Sequence, residues 1–494
     1  MPDGGRPHLA FDLGAESGRA VLGRVRAGVL AIEEIHRFPN EPVACGGSLH
    51  WDADRLWVEM RRAISMVDSE PLAGIGVDAW GVDYALLGAG GELIENPYHY
   101  RDPRTEGAME AVFRKVSREE IYRRTGIQFM PINTLYQLFA AKRDRPELVR
   151  AARQLVTIPD LFHFWMSGTA VSEFTNATTT QMLDPVKRVW CTDLLEALDL
   201  PAHLPAPIVE PGQVIGRLQP EAAGASSRLA GTPVIAPACH DTGSAVAAVS
   251  ARRGTAFLSS GTWSLVGTEL DAPLITPDAL RLNFTNEGGV CGTTRFLKNV
   301  MGLWMLQGCR KAWQQGGKTY EYGELMGLAA QAKAFAHLVD PDDPSFLRPP
   351  DMLQAIDRFC RATGQPAPES PGAYTRAVLE GLAFKYRAVI GDIEQLTGTS
   401  IRRIRVIGGG SRNRLLNQFT ADATGREVLA GPVEATALGN IGLQLVATGE
   451  AASVARMRAM IESSFPTEVF EPRETGKWEQ PAERFRHYCE AACA

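Results

Sequence analysis

The chain has 494 residues, 45% hydrophobic and 22% charged, with a formal net charge of −6. That length exceeds one comfortable hydrophobic core, so two or three domains are expected. A pI near 5.9 excludes the basic footprint that a nucleic-acid or anionic-membrane partner demands, and clusters such as Arg402-Arg403 read as solvated surface.

In chain order, L-A-F-D-L-G (9–14) predicts a short apolar strand, A-E-S-G-R (15–19) a glycine-bearing turn and A-V-L-G-R-V (20–25) a return strand. Residues 54–67 place Leu56, Val58, Met60, Ile64 and Val67 at helical spacing behind Asp54. I-G-V-D-A-W-G-V-D-Y-A-L-L (75–87) predicts a second strand pair closed by the turn G-A-G-G (88–91). Residues 105–200 read as mostly helical, with apolar-faced segments at 133–141 and 159–168. A Pro/Gly/Ala-rich region, 201–236, runs into a strand at 232–237, then a turn and a helix over 242–249. T-A-F-L-S-S-G-T-W-S-L-V-G (255–267) repeats the form of the first hairpin. Two such hairpins, each opening a half of mixed strands and helices, predict a duplicated α/β domain with a boundary near the pair Arg252-Arg253. In the second half, helices are expected around 297–307 and from 375, with a loop at 339–350 between them. Strand, three glycines and amphipathic helix follow over 403–425, and a terminal helix over 476–489.

The eight cysteines, at 45, 191, 239, 291, 309, 360, 489 and 493, show no CxxC pair and no His-Cys metal spacing, which points to reduced, structural thiols. The opening M-P-D-G-G-R-P-H lacks a signal-peptide h-region, and no apolar stretch approaches the roughly 20 residues of a membrane helix. A cytoplasmic protein with no membrane and no nucleic-acid partner is expected.

The stretch P-A-C-H-D-T-G-S-A (237–245) contains the tag that pepsin-like proteases carry around each catalytic carboxylate. Those enzymes need two carboxylates sharing a proton, and only one D-T-G is present, so a protease is set aside. Asp241 is then either a helix N-cap or a reactive carboxylate. Three turns could cradle phosphate: D-L-G-A-E-S-G-R (12–19), S-S-G-T-W-S (259–264) and Gly408-Gly409-Gly410. Each is also readable as a plain structural turn, and none fits GxGxxG or a P-loop. Their order is the layout of the actin-like ATPases, in which nucleotide lies between two duplicated domains.

With these motifs the chain resembles the FGGY carbohydrate kinases, and within them the branch acting on L-rhamnulose. F-D-L-G-A-E-S-G-R (11–19), W-G-V-D-Y-A-L-L (80–87), Y-R-D-P-R-T (100–105), H-D-T-G-S-A (240–245), L-S-S-G-T-W-S-L (258–265), T-N-E-G-G (285–289), L-K-N-V-M-G-L-W (297–304) and G-G-G-S-R-N-R-L-L-N-Q (408–418) carry it, collinear over most of the chain. The resemblance implies an α/β fold of two duplicated ribonuclease-H-like domains with a cleft between them. Residues 1–252 would hold the sugar site and catalytic base, and 253–494 the nucleotide site. It implies transfer of phosphate from ATP, with Mg²⁺, to the C1 hydroxyl of L-rhamnulose in L-rhamnose catabolism, by a monomer or homodimer. A kinase for a related ketose such as L-fuculose is the nearest alternative, and a non-catalytic sugar or nucleotide sensor the next.

Carried over by residue, the resemblance makes Asp241 the general base, kept ionised by the helix dipole. The sugar would meet Gly81, His240, Asp241, Thr242 and Asn299. The nucleotide would meet Ala15, Glu16, Ser17, Gly18, Arg19, Thr262, Gln307 and Gly409, and Asp12 would hold the metal through water. Some family members pair cysteines in the second domain; Cys360 here has no such partner, Ala377 standing where one would lie.

Overall fold

The computed structural model describes residues 5–67, 70–224, 227–252 and 254–492. Met1 to Gly4, Arg253 and Cys493 therefore lie outside the described residues. The chain divides into two compact units, each assembled from three segments. The first takes residues 1–250, 269–296 and 435–466; the second takes 251–268, 297–434 and 467–494.

The first unit is built on a sheet of β1 (His8–Leu13), β2 (Ser17–Arg26), β3 (Val29–Pro39), β4 (Gly74–Ala79), β5 (Gln213–Arg217) and β6 (Pro233–Ala236), in the order β5-β6-β4-β1-β2-β3. β1 is antiparallel to β2 and parallel to β4, and β4 is parallel to β6. Every residue of β1 and β4 is buried, as required of strands covered on both faces. The helix Ile158–Ser167 packs on β4, and the helix Ala435–Ala447 packs on both β1 and β4. Gln444 Nε2 donates to the Leu9 carbonyl at 3.0 Å, and Gly23 admits Ile441, whose methyl would stand 2.5 Å from a Cβ there. The helix Ala53–Met66 forms as expected, capped by Asp52, except that Val58 points outward, 62% exposed.

The strand pair expected over 75–87 does not form. After β4 the backbone turns at Val82, at φ +67°, where Asp83 N–H donates to the Gly81 carbonyl at 2.9 Å. This is a γ-turn of the rare positive-φ hand. It sends Tyr84–Leu87 away to pair antiparallel with Gln154–Thr157 in a separate small sheet.

The second sheet is built on β7 (Thr255–Ser260), β8 (Trp263–Leu270), β9 (Thr294–Met301), β10 (Arg403–Ile407), β11 (Glu427–Ala430) and β12 (Glu468–Phe470), running β9-β8-β7-β10-β11-β12, with a seventh strand, Thr285–Gly288, at the edge beside β9. β7 is antiparallel to β8 and parallel to β10; β10 is parallel to β11, which is antiparallel to β12. From its opening hairpin outward this repeats β3-β2-β1-β4-β6-β5 of the first unit. The duplication expected from the paired hairpins thus extends over six strands, the second sheet adding a seventh.

The helix expected over 297–307 is a strand as far as Met301. Phe296, Leu297, Val300 and Met301 are buried there, so sheet packing overrides the local helical spacing. The helix Trp304–Gln315 begins only after Gly302, where a Cβ would stand 2.7 Å from the Gly261 carbonyl oxygen. The terminal helix Gly476–Ala492 docks Trp478 and Phe485 against Phe384, with ring centroids 4.9 and 5.3 Å apart.

Candidate active site

Parallel pairing of β1 with β4 places Asp12 opposite Asp78, and antiparallel pairing with β2 places it opposite Arg19. Arg19 donates to Asp12 Oδ2 from Nε at 3.0 Å and from Nη2 at 2.6 Å. The two residues assigned separately to metal and to phosphate thus form one ion pair at the strand ends. Asp78 is wholly buried and accepts from Asn440 Nδ2 at 2.6 Å. Burial first, then the charge of Asp12, holds the Asp78 carboxyl well above its ordinary range. Its Oδ1 meets no hydrogen-bond partner among the described residues. Two adjacent carboxylates with an unsatisfied oxygen form a hard-donor set that suits Mg²⁺.

The hairpin turn that follows is braced by Asn40, whose N–H reaches the Glu16 carbonyl at 2.9 Å and whose Nδ2 reaches the Gly14 carbonyl at 2.7 Å. Gly18 is required by close approach, since a Cβ there would stand 2.6 Å from the Phe38 ring.

His240 and Asp241 follow β6 at the mouth of the helix Asp241–Ala247. The turn before them is hydrogen-bonded throughout. Cys239 N–H donates to Glu173 Oε2 at 2.8 Å, and His240 N–H donates to Thr175 Oγ1 at 3.2 Å. The Cys239 carbonyl accepts from Ala79 N–H at 2.9 Å, and Ser244 Oγ donates to the Ala238 carbonyl at 2.7 Å. Burial pushes Glu173 up to about 7, against its hydrogen bonds to Thr175. Asp160, His163 and Cys239 also cluster here. His163 Nε2 already accepts the Val77 N–H at 3.0 Å, and burial holds the Cys239 thiol well above its ordinary range, so the cluster reads as core.

The Asp241 side chain is 33% exposed. Its Oδ1 accepts from the Thr242 N–H and, at 3.2 Å, from Thr242 Oγ1. His240 Nε2 stands 3.4 Å from the same oxygen. Enclosure by protein raises the Asp241 pKa above its ordinary value, helped by the negative charge of Asp12 and opposed by His240 and Thr242. The carboxylate sits in the first turn of a seven-residue helix, where the dipole favours its ionised form.

Gly81 sits where a Cβ would stand 3.0 Å from Thr179 Oγ1. Its turn is held by Asp83, which accepts from the Trp51 and Trp80 indoles at 2.6 and 3.0 Å, Gln137 Nε2 at 2.8 Å and the Tyr100 N–H at 3.2 Å. Burial still pushes this carboxyl up to about 6.

The remaining candidates lie in the second unit. Thr262 occupies the β7–β8 turn, where its carbonyl accepts from the Gly302 and Trp304 N–H groups at 3.1 and 3.2 Å. Gln307 lies one turn into the helix that begins at Trp304. The glycines close the same neighbourhood from β10: a Cβ on Gly408 would lie 3.2 Å from the Ser260 carbonyl oxygen, and one on Gly410 2.8 Å from it. Gly409 alone is exposed, with open space where its Cβ would be. A 3₁₀ turn, Gly409–Arg412, separates the glycines from the helix Arg414–Thr424. Asn299 lies half-buried on β9, a strand position.

Residues 8–248 match the N-terminal domain, and residues 256–448 the C-terminal domain, of the FGGY family of carbohydrate kinases. The chain belongs to that family. A protein named rhamnulokinase from Bacteroides thetaiotaomicron is 46% identical over 482 residues, 97% of this chain and 98% of its own. One of the same name from Pectobacterium carotovorum is 43% identical over 94% of this chain and 93% of its own. Among solved structures, a xylulose kinase from Lactobacillus acidophilus superposes with TM-score 0.81 at 17% identity, over 99% of this chain and 98% of that one. A glycerol kinase from Plasmodium falciparum gives 0.77 at 14%, over the same shares. The FGGY chain thus carries the two-domain kinase fold of the actin-like ATPase class.

Sequence reasoning passed over four buried residues that pack around Asp12 and His240: Asp78 beside Asp12, Glu173 on the Cys239 N–H, and Glu287 and Arg295 at 3.2 and 3.1 Å from His240 Nδ1. Glu287 lay in the quoted T-N-E-G-G motif, yet nothing local to that motif shows that it faces His240.

Proposed function

We propose that the protein transfers the γ-phosphoryl group of ATP to the C1 hydroxyl of L-rhamnulose, giving L-rhamnulose 1-phosphate and ADP, in cytoplasmic L-rhamnose catabolism. The observation that carries this is the near-complete match to proteins named rhamnulokinase in a chain that holds Asp241 at a helix mouth beside a turn suited to phosphate. Asp241 is the general base. As the bond from the sugar oxygen to phosphorus forms and the bond from phosphorus to ADP breaks, the hydroxyl proton passes to the carboxylate. A raised pKa suits that task, because the proton is held once it arrives. His240, Thr242, the Gly81 backbone and Asn299 contact the sugar.

On the nucleotide side, the turn Ala15–Arg19, Thr262, Gln307 and Gly409 contact ATP. Thus residues 1–252 supply the base and most of the sugar contacts, and 253–494 most of the nucleotide site. Asp12, with Asp78 behind it, would hold Mg²⁺ through water, and that ion would neutralise phosphate charge. Among the described residues no helix is long and apolar enough to cross a membrane.

The test is ADP release with Mg-ATP over L-rhamnulose, L-fuculose, D-xylulose, L-ribulose and glycerol, with Asp241→Asn alongside. Preference for L-rhamnulose, lost about a thousandfold or more in the variant, is the expected result. Preference for another sugar would retire the substrate, and unimpaired turnover by Asp241→Asn would retire the base.

A further inference from the structure

His240 is covered by a buried ion pair on its far side from Asp241. Arg295 and Glu287 are both buried, and Arg295 is among the largest fully enclosed side chains of the described residues. Arg295 Nε donates to the Gly288 carbonyl at 2.8 Å, and Nη1 stands 3.1 Å from Glu287 Oε2. Nη2 faces His240 Nδ1 at 3.1 Å. Glu287 Oε2 also approaches that nitrogen, at 3.2 Å. The two neighbours make opposite demands: the carboxylate would favour a proton on Nδ1, the guanidinium a lone pair.

A guanidinium offers donors only and is not deprotonated in proteins. Its Nε is held by the Gly288 carbonyl and its Nη2 has hydrogen-bond geometry to Nδ1, whereas the approach of Glu287 Oε2 to Nδ1 is an ion-pair distance without that geometry. Nδ1 therefore accepts, and the ring proton sits on Nε2, which faces Asp241 Oδ1 at 3.4 Å. Resting on the reading of Asp241 as base, we infer that Arg295 is a positioning residue: it fixes the tautomer of His240 so that Nε2–H is aimed at Asp241 Oδ1. His240 Nε2–H then stands beside the Thr242 N–H and hydroxyl, which donate to that one oxygen. Among the described residues Thr242 supplies the hydrogen bonds seen at Asp241. Oδ2 remains the oxygen presented to the sugar hydroxyl, with its lone pair uncommitted. In the other tautomer the Nε2 lone pair would face Oδ1 and repel it, working against the hold of Thr242.

The test uses full-length protein with ¹⁵N-labelled histidine. The His240 signal, one of nine histidines, is assigned by its loss in His240→Gln. Wild type is expected to show Nε2–H with Nδ1 unprotonated. Arg295→Lys, which keeps the charge but loses the fork, is expected to shift the ring toward the other tautomer. It should lower kcat about tenfold or more with KM for the sugar within about twofold. In a His240→Gln background the same substitution should cost little further, since Arg295 acts through the ring. An Nδ1–H signal in wild type, or an Arg295→Lys loss of the same size in the His240→Gln background, overturns the proposal. Should Arg295→Lys fail to fold, Glu287→Gln decides: Nε2–H persists if Arg295 sets the ring, and its loss shows that Glu287 does. The tautomer is read without turnover, so failure of Asp241 as base would appear separately, in Asp241→Asn.

Discussion

Gly439 lies on the helix Ala435–Ala447 where that helix crosses the helix carrying Asp241. A Cβ built there would fall on the Ser244 carbonyl oxygen, with the carbonyl carbon at 2.5 Å and Cα at 3.1 Å. The obstruction is backbone, so no side chain can turn aside. Ordinary van der Waals contact is restored only if the two helices part by roughly 1 Å. Overpacking of this kind costs about 3 kcal/mol in Gly439→Ala. A 1 Å displacement of Asp241 lowers kcat on the order of a hundredfold. Gly442→Ala on the same helix is the control, because its Cβ meets the flexible Met457 Sδ at 2.5 Å and Cγ at 2.7 Å. Urea unfolding gives the stability of both variants, and ADP release with L-rhamnulose gives kcat. Equal losses in the two, or a Gly439→Ala protein within about 1 kcal/mol of wild type with kcat intact, would refute the view that helix contact at Gly439 sets the position of the base.

Three further outcomes are expected. Gly410→Ala should lower stability by about 1–3 kcal/mol by striking Ser260, whereas Gly409→Ala should unfold like wild type but raise KM for ATP, a split that paired urea curves and ATP titrations would show. Asp83→Asn turns a donor toward a donor and should cost about 1–3 kcal/mol. Because the folded Asp83 pKa of about 6 exceeds the unfolded carboxyl value, wild type binds the proton more tightly when folded. It therefore gains stability as pH falls from 7.5 to 5.5, on the order of 1 kcal/mol, an increment that Asp83→Asn should lack in urea midpoints. Finally, the base must be ionised to act, so kcat/KM should fall on acidification with a limb above the value of an unperturbed aspartate; a limb at or below that value in folded protein would contradict the raised Asp241 pKa.

The sequence made much of this visible because several signals are local. The hairpin L-A-F-D-L-G-A-E-S-G-R shows its strands by burial and its turn by glycine, and β7–β8 repeats the form. What was hidden is what long-range pairing decides. K-N-V-M has helical neighbours on one side and becomes strand in the sheet. W-G-V-D looks like continuous strand until Asp83 gathers two indoles and forces Val82 into a γ-turn. The upward shift of the Asp241 pKa was hidden for the same reason, since Asp12 and the enclosing protein come from distant segments. Arg295 is 55 residues from His240, and no spacing rule joins them.

Each unit is stitched from three stretches of chain, and this bears on how the protein is born. The helix Ala435–Ala447 supplies Asn440 to Asp78 and Gln444 to the Leu9 carbonyl, so the part of the sheet it covers waits until residue 447 has been translated. At cellular rates that interval is some tens of seconds. During it the nascent chain displays apolar surface that its own C-terminal segment will later cover, which is an aggregation hazard. Truncation before residue 435 would leave that surface permanently open, making the early half of the chain an aggregation-prone fragment rather than an autonomous sugar-binding module.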